Sequence, residues 1–327
     1  MALHGWLIVD KPVGPGSTQV VSAVKRALRE GDYPKAKVGH GGTLDPLASG
    51  VLPVAIGEAT KLSGRMLDAD KAYDFTIAFG VETDTLDGEG EAVAQSESRP
   101  TLAEVEAILA EFTGPIEQVP PVYSALKIDG RRAYDRARAG EQLEMKTRSV
   151  IIRSLSLASH SNPSLETEGL SGQAPPLPFK GGDRGVGAER STALGSVTLS
   201  ARVSKGTYIR SLARDIALAL GTVGHVVMLR RTKAGPFKVD QAISLDKLGE
   251  IAKARGLEQA LLPLTAGLDD IPALPVDPDQ ARALREGRRL AGIAVKPGLH
   301  LATAESVPVA LVELSGAELR VVRGFNL

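Results

Sequence analysis

Gly39-His40-Gly41-Gly42-Thr43-Leu44-Asp45-Pro46-Leu47-Ala48-Ser49-Gly50-Val51-Leu52-Pro53 is the stretch on which the reading of this chain turns. Glycine lets backbone approach a neighbour or a ligand closely, and a loop presents a side chain free of helix constraints. Pro46 restricts Asp45 to extended backbone and so fixes where its carboxylate points. Taken alone, Asp-Pro is a weak signal for catalysis, since many such pairs simply initiate turns. The glycine spacing matches neither G-x-x-x-x-G-K-[ST] nor G-x-G-x-x-G, and no helical pattern follows at once, which argues against a nucleotide cofactor. Residues 51–56 read as a strand.

Working outward, Leu7-Ile8-Val9 reads as a short buried strand. Ser17 or Thr18 is expected to cap a helix carrying Val20, Val21, Val24 and Leu28 at helical spacing, ending near Gly31. Ala59 to Leu67 reads as a short helix, and Lys71 to Phe79 alternates with period two as a half-buried strand does. Thr101 to Phe112 has amphipathic helical spacing. Ser149 to Leu157 and Gly195 to Val203 are rich in β-branched residues and are expected to pair. Ile209 to Leu220 reads as a helix stopped by Gly221. Strands and helices alternate without a regular βαβ repeat, so the expected class is α+β with a mixed, largely antiparallel sheet.

Two stretches break the pattern. About 161–192 is rich in Ser, Gly and Pro without periodicity and is expected to be a flexible insertion between two strands. Asp269 to Asp279 carries Pro272, Pro275 and Pro278 and is expected to link two domains, 1–270 and 275–327. A short helix, Gln280 to Glu286, and short strands should follow.

Lys+Arg and Asp+Glu both number 39, and there is no cysteine. The absence of cysteine removes disulfides, thiolate nucleophiles and Cys-based zinc sites together, and fits a reducing cytoplasm. Met1 to Val9 lacks a basic n-region and a small-residue cleavage site, so it reads as a strand and not as a signal peptide. No apolar run approaches the roughly 20 residues that span a bilayer. Zero net charge argues mildly against a nucleic-acid protein, but its distribution argues the other way. Between Arg202 and Lys238 eight cations face Asp215 alone, and between Lys127 and Arg153 eight face four acids. Two basic stretches can present a phosphate-binding face; they are equally consistent with solvated surface.

His4, His40, His160, His225 and His300 show no metal-ligand spacing. Lys205-Gly206-Thr207-Tyr208-Ile209-Arg210 sits where a strand ends and a helix begins, and Arg210 and Arg214 fall one turn apart. That too reads as a solvated basic face when taken alone. Tyr73 on its alternating strand reads, taken alone, as core or interface more readily than as catalytic.

The order of motifs decides between these readings. Asp10-Lys11-Pro12-Val13-Gly14 and the 39–53 stretch are followed by Gly57-Glu58-Ala59-Thr60-Lys61, Lys71-Ala72-Tyr73 and Thr83-Asp84-Thr85-Leu86-Asp87. Then come Pro120-Pro121-Val122-Tyr123-Ser124-Ala125-Leu126-Lys127, Gly130-Arg131-Arg132-Ala133-Tyr134, 205–210, and His225 with Leu229-Arg230-Arg231. In this order, over nearly all of residues 5–245, the sequence resembles the TruB family of tRNA pseudouridine-55 synthases. It departs from the family at Gly16-Ser17, where Thr-Ser is usual, which suggests a looser helix cap, and in the length of the 161–192 segment.

The resemblance implies a pseudouridine synthase fold with a small β-rich PUA-like RNA-binding domain at 275–327. It implies isomerisation of uridine 55 in the T loop of tRNA, by base flipping and an aspartate-dependent cleavage and re-attachment of the glycosidic bond. Asp45, Tyr73 and Arg210 would be catalytic, with Arg210 pairing with Asp45. His40, Tyr208, Leu229, Lys205, Arg230 and Arg231 would hold RNA or the flipped base. It implies no cofactor, no metal and no membrane. The partner would be the T arm of tRNA, bound by a monomer in the cytoplasm. Two other readings stay open: a glycosylase that releases free uracil, and a tRNA-folding chaperone that remodels tRNA without chemistry.

Overall fold

The computed structural model describes residues 3–158, 192–316 and 318–327. In chain order the first elements are β1 (Gly5–Lys11), α1 (Ser17–Glu30), β2 (Val38–His40), β3 (Ala48–Ile56), α2 (Ser63–Asp68) and β4 (Lys71–Phe79). The hairpin β5 (Val81–Thr83) and β6 (Ala92–Gln95) follows, then α3 (Leu102–Ile108) and β7 (Gly114–Gln118). A second small hairpin, β8 (Lys127–Ile128) and β9 (Arg131–Arg132), leads to α4 (Ala133–Arg138), β10 (Arg148–Leu157) and β11 (Ser196–Val203). Next are α5 (Ile209–Ala219), β12 (Gly224–Ala234), β13 (Phe237–Lys238), α6 (Leu245–Lys253) and α7 (Leu257–Ala260). The C-terminal elements are β14 (Ala273–Pro275), α8 (Pro278–Arg285), β15 (Leu290–Ala291), β16 (Gly298–Ala304), β17 (Val307–Ser315) and β18 (Glu318–Gly324). The class is the expected α+β.

The chain divides into two compact units, Met1–Lys71 with Arg230–Leu327, and Ala72–Leu229. In the first, β1 pairs antiparallel with β3 from Gly5↔Ile56 to Lys11↔Gly50, and β2 also pairs with β3. Trp6, Ile8, Val51, Ala55, Leu62, Met66 and Phe237 form one core with Leu264, Leu301, Leu311 and Phe325. The Trp6 ring tilts against Phe237 at 5.2 Å, and its indole N–H donates to the Leu264 carbonyl, so its polar edge is satisfied inside. The C-terminal strands form a five-stranded sheet in the order β14-β16-β17-β18-β15. That sheet has a core of its own, in which Leu274, Ala281, Leu284, Val309, Val312 and Leu319 are buried.

The second unit carries β4, β11, β10 and β7 in that order. Phe75, Ile77 and Phe79 are buried at alternate positions of β4, as the period-two pattern requires, and Tyr73 lies half-buried at the same parity. The expected pairing of the two β-branched stretches is present, antiparallel, with a bulge between Ile152 and Ser154.

Several local expectations are corrected. Gly16, not Ser17 or Thr18, is the N-cap of α1, and the Gln19 side chain accepts from its N–H at 2.7 Å. Ser17 is thereby released for another use. The helix expected from Thr101 to Phe112 ends at Ile108; Glu111 and Thr113 then make i→i+3 bonds that tighten the chain toward Gly114. The helix expected over 59–67 is a 3₁₀ turn, Gly57–Leu62, running into α2. Within the proline-rich 269–279 stretch, residues 273–275 pair in parallel with β16. As an edge strand, it tolerates Pro275 because no donor is needed on its open side. The insertion expected over 161–192 lies, apart from Thr192, outside the described residues.

Candidate active site

Asp45 lies half-buried in the loop joining β2 to β3, and the first unit holds that loop by its backbone from three sides. Arg231 is 1% exposed; its Nε donates to the Val51 carbonyl at 2.7 Å, Nη1 to Thr43 at 3.2 Å and Nη2 to Gly42 at 3.3 Å. Ser17 exchanges bonds with Leu44: its hydroxyl donates to the Leu44 carbonyl at 3.1 Å and accepts from the Leu44 N–H at 2.8 Å. Lys11, fully buried, donates to the carbonyls of Pro12 at 2.8 Å and Pro46 at 3.3 Å. Residues 42, 43, 44 and 46 are thus pinned around Asp45. An unpaired buried carbonyl costs about 1–3 kcal/mol, so each of these bonds resists displacement of the loop.

The glycines fit the same picture. A Cβ at Gly41 would stand 2.6 Å from the Met66 Cβ, and one at Gly50, where φ is +100°, would collide with the Arg231 carbonyl. Close backbone approach, and not a ligand cradle, accounts for both.

His40, on β2, has its Nδ1 buried without a hydrogen-bond partner. Burial, with a smaller push from Arg231, holds its pKa below the ordinary imidazole value, so the ring is neutral near pH 7. Arg230 makes a bidentate pair with Asp10, at 3.1 and 2.8 Å. Both arginines of the expected RNA-binding pair are therefore committed inside this unit. The Arg231 guanidinium, 1% exposed, is engaged by the carbonyls of Val51, Thr43 and Gly42.

In the second unit, Arg210 is the second residue of α5 and is 5% exposed. Its Nη1 donates to the Thr85 carbonyl at 2.8 Å, its Nη2 to Tyr123 at 3.0 Å, and Nη1 lies 3.2 Å from the Asp87 carboxylate. Asp87 also accepts from the Thr85 hydroxyl at 2.5 Å and from the Glu89 N–H at 3.1 Å. A charged pair at this depth is sustained only because its remaining hydrogen-bonding groups are satisfied. Tyr208, the N-cap of α5, exchanges backbone bonds with the Gln118 amide, and Arg148 lies over its ring at 5.9 Å. Leu229 is buried on β12; Lys205 is exposed in the turn before α5.

Lys11, Ser17 and Asp87 were not singled out as site residues from sequence. Each stands in or beside a quoted motif, but burial is what gives it a role, and sequence does not carry burial of a polar side chain. Among the described residues no His, Asp or Glu cluster suited to a metal ion is present, and no helix is long and apolar enough to cross a membrane.

Compared with known proteins, residues 29–171 match the model of the TruB family pseudouridylate synthase N-terminal domain, and 210–269 that of the tRNA pseudouridylate synthase B C-terminal domain. The tRNA pseudouridine synthase B of Novosphingobium aromaticivorans is 58% identical over 325 residues, 99% of this chain and 98% of that one. The chain belongs to the TruB family. The Zymomonas mobilis relative of the same name is 57% identical, with 99% and 97% of the two chains covered. Among solved structures, this TruB-family chain is similar to one from an H/ACA RNP bound to a substrate RNA containing 2′-deoxyuridine. The TM-score there is 0.66 at 26% identity, covering 99% of this chain and 85% of that one. A chain of the archaeal box H/ACA sRNP Nop10-Cbf5 complex gives 0.64 at 25%, covering 98% and 86%. As a TruB-family member the protein is an enzyme, a pseudouridine synthase.

Proposed function

We propose that this enzyme converts uridine to pseudouridine at position 55, in the T loop of tRNA, with Asp45 as its essential carboxylate. The observation that carries the reading is the Asp45 loop itself: four of its residues are fixed through their backbones by Arg231, Ser17 and Lys11. So much hydrogen bonding around one half-buried carboxylate is what a reaction needs that tolerates little misplacement of a reacting group. Full-length likeness to enzymes named tRNA pseudouridine synthase B supports the substrate.

The reaction breaks the bond from ribose C1′ to N1, turns the uracil, and joins C1′ to C5. N1 gains a proton and C5 loses one, so nothing is added overall and no oxidant or group donor enters. The target base must first leave its stack, at a cost of a few kcal/mol. Asp45 acts on the detached or detaching base and sugar. The resemblance gives Arg210 the task of keeping that carboxylate ionised, Tyr73 that of stacking on the flipped uracil, and Leu229 that of excluding water. A neutral His40 suits a place beside the extruded nucleotide, where a second full charge is unnecessary. Lys205 and Tyr208 contact RNA from the turn before α5. The remainder of the reading is a monomer acting in the cytoplasm, with 1–270 catalytic and 275–327 a PUA-like module that adds RNA contacts away from the reacting base.

The test is carbodiimide or mass-spectrometric mapping of pseudouridine in tRNA treated with wild type and with Asp45→Asn. Wild type should modify position 55, and a folded Asp45→Asn protein should bind tRNA yet leave it unmodified. Substantial turnover by that variant would falsify the role of Asp45. Free uracil in place of pseudouridine would make the enzyme a glycosylase. Restored tRNA folding without modification by wild type would leave the chaperone reading.

A further inference from the structure

A cavity of about 1000 Å³ opens in the first unit between α1, the 31–37 loop, β2 and the 57–63 turn. Its lining includes Lys25 and Arg29 from α1, Lys35 and Lys37 from the loop, and His40. No carboxylate lines it. Among the described residues the four Lys and Arg side chains have no hydrogen bond or ion pair, and all four are exposed. The cations of the Asp45 loop, by contrast, are spent on carbonyls and on Asp10. Leu28, Tyr33 and Val38 supply apolar surface to the same lining.

The wall that carries the lysines is anchored. Tyr33 donates its hydroxyl proton to Glu258 at 3.1 Å and accepts from the Leu257 N–H at 3.0 Å. Asp32, just before it, is held by Arg255 at 2.6 Å. Of the acids close to the cavity in sequence or space, Asp32, Glu58 and Glu258 are bonded to Arg255, Lys61 and Tyr33, and Glu30, exposed beside Arg29, is outside the lining. At the start of the loop, the N–H groups of Gly31, Asp32 and Tyr33 bond back to α1 carbonyls. The result is a shaped recess with an aromatic side chain in its wall, a cationic rim and no counter-charge of its own.

We infer that this cavity is a second RNA subsite, which takes a stretch of the tRNA sugar-phosphate backbone flanking the target nucleotide, with phosphates on Lys25, Arg29 and Lys35 and a base or ribose against the apolar surface. It rests on the reading of the protein as a tRNA-modifying enzyme and adds to it where the strand runs beyond the reacting base. The cavity is continuous with His40, five residues before Asp45 in the chain, so a strand seated there leads toward the carboxylate's loop. Cations matched to phosphates and an apolar or aromatic surface matched to a base face are the two components of single-strand binding. At about 1000 Å³ the recess is also larger than a lone phosphate needs.

The experiment compares wild type with Lys25→Gln/Arg29→Gln/Lys35→Gln. Fluorescence anisotropy with labelled tRNA transcript is measured across salt, and pseudouridine yield is measured at saturating RNA. These side chains are exposed and unbonded, so the melting temperature should not change. The affinity should fall about tenfold or more at low salt, and the slope of log K against log salt should become shallower by about 2 to 3. Yield at saturating RNA should stay as in wild type. Should the triple variant melt early, Lys35→Gln alone is read the same way, with a slope change of about 1. Unchanged affinity and slope would overturn the subsite while leaving the enzyme reading intact. Loss of yield at saturating RNA in a folded variant would also overturn it, because the face would then belong to the chemical step. Adenosine monophosphate is the second probe. Saturable binding of it that the variant abolishes, with tRNA affinity untouched, would make the cavity a mononucleotide site and defeat the inference. A wild type that makes no pseudouridine would defeat the proposed function, while the salt slope would still report on the cavity.

Discussion

At Arg210, one side chain reaches the carbonyls of Thr85 and Tyr123 and the carboxylate of Asp87 from the first turn of α5. A planar guanidinium can span three such partners, and a lysine ammonium cannot. Arg210→Lys should therefore lower the single-turnover rate at least tenfold and the melting temperature by several degrees; equal rates for the two proteins would dispose of a specific guanidinium role. Asp87→Asn distinguishes a structural from a catalytic origin of that loss, since it removes the buried charge and keeps the shape. His40 supplies a pH prediction. Its pKa in the fold is below that of an exposed imidazole, chiefly through burial. Above about pH 6.5 the ring is neutral in both folded and unfolded chains and contributes nothing to the pH dependence. As pH falls below that value the unfolded chain takes the proton first, and stability is lost progressively until the folded ring is protonated too. Melting curves from pH 7.5 to 5 should show a steeper acid loss for wild type than for His40→Gln. Matching slopes would mean that the ring is not held neutral.

Helix α1 does more for the molecule than its amphipathic pattern suggests. Its valines, Val20, Val21 and Val24, pack into the core, as their spacing demands. Its first residue grips Leu44, one position before Asp45, through two backbone bonds. At the Gly16-Ser17 departure, Gly16 takes the cap position without a side-chain cap bond, and the Gln19 side chain satisfies its N–H. Ser17→Ala should cost about 1–3 kcal/mol, since two backbone groups of Leu44 lose their partner in a buried place. It should also slow single-turnover pseudouridine formation more than it weakens tRNA binding, as the loop it frees carries the carboxylate. An unchanged rate with a lowered melting temperature would reduce Ser17 to a purely structural role. The C-terminal end of α1 serves the cationic cavity, with Lys25 and Arg29 one turn apart on the face that lines it.

For the whole molecule, one core of the first unit draws residues from both sides of the 270–275 stretch. Leu301, Leu311 and Phe325 are buried with Trp6, Leu264 and Leu268. Lys61 donates to the Gly324 carbonyl at 2.9 Å, and the Asn326 N–H donates to Glu58 at 2.8 Å. Phe325→Ala should cost about 3–5 kcal/mol, the usual cost of deleting a buried aromatic ring. Thermal melting checks it, and a shift within error would mean that the C-terminal segment is only loosely attached to the first unit's core. The sequence by itself determined the family, the α+β class, the β10–β11 pairing and the strand at 71–79. Those follow from spaced motifs and from period-two or 3.6-residue patterns, which are local and survive in one dimension. Its motif order also put Asp45 forward, through the resemblance to the family and not through the Asp-Pro pair alone. What it left open was the fate of the polar side chains. Whether Arg231 faces phosphate or three carbonyls depends on which strand lies beside it. Whether Lys25 and Lys35 share a cavity depends on a loop folding back on its helix. Burial and partnership between residues far apart in the chain are properties of packing, so only the tertiary structure decided them.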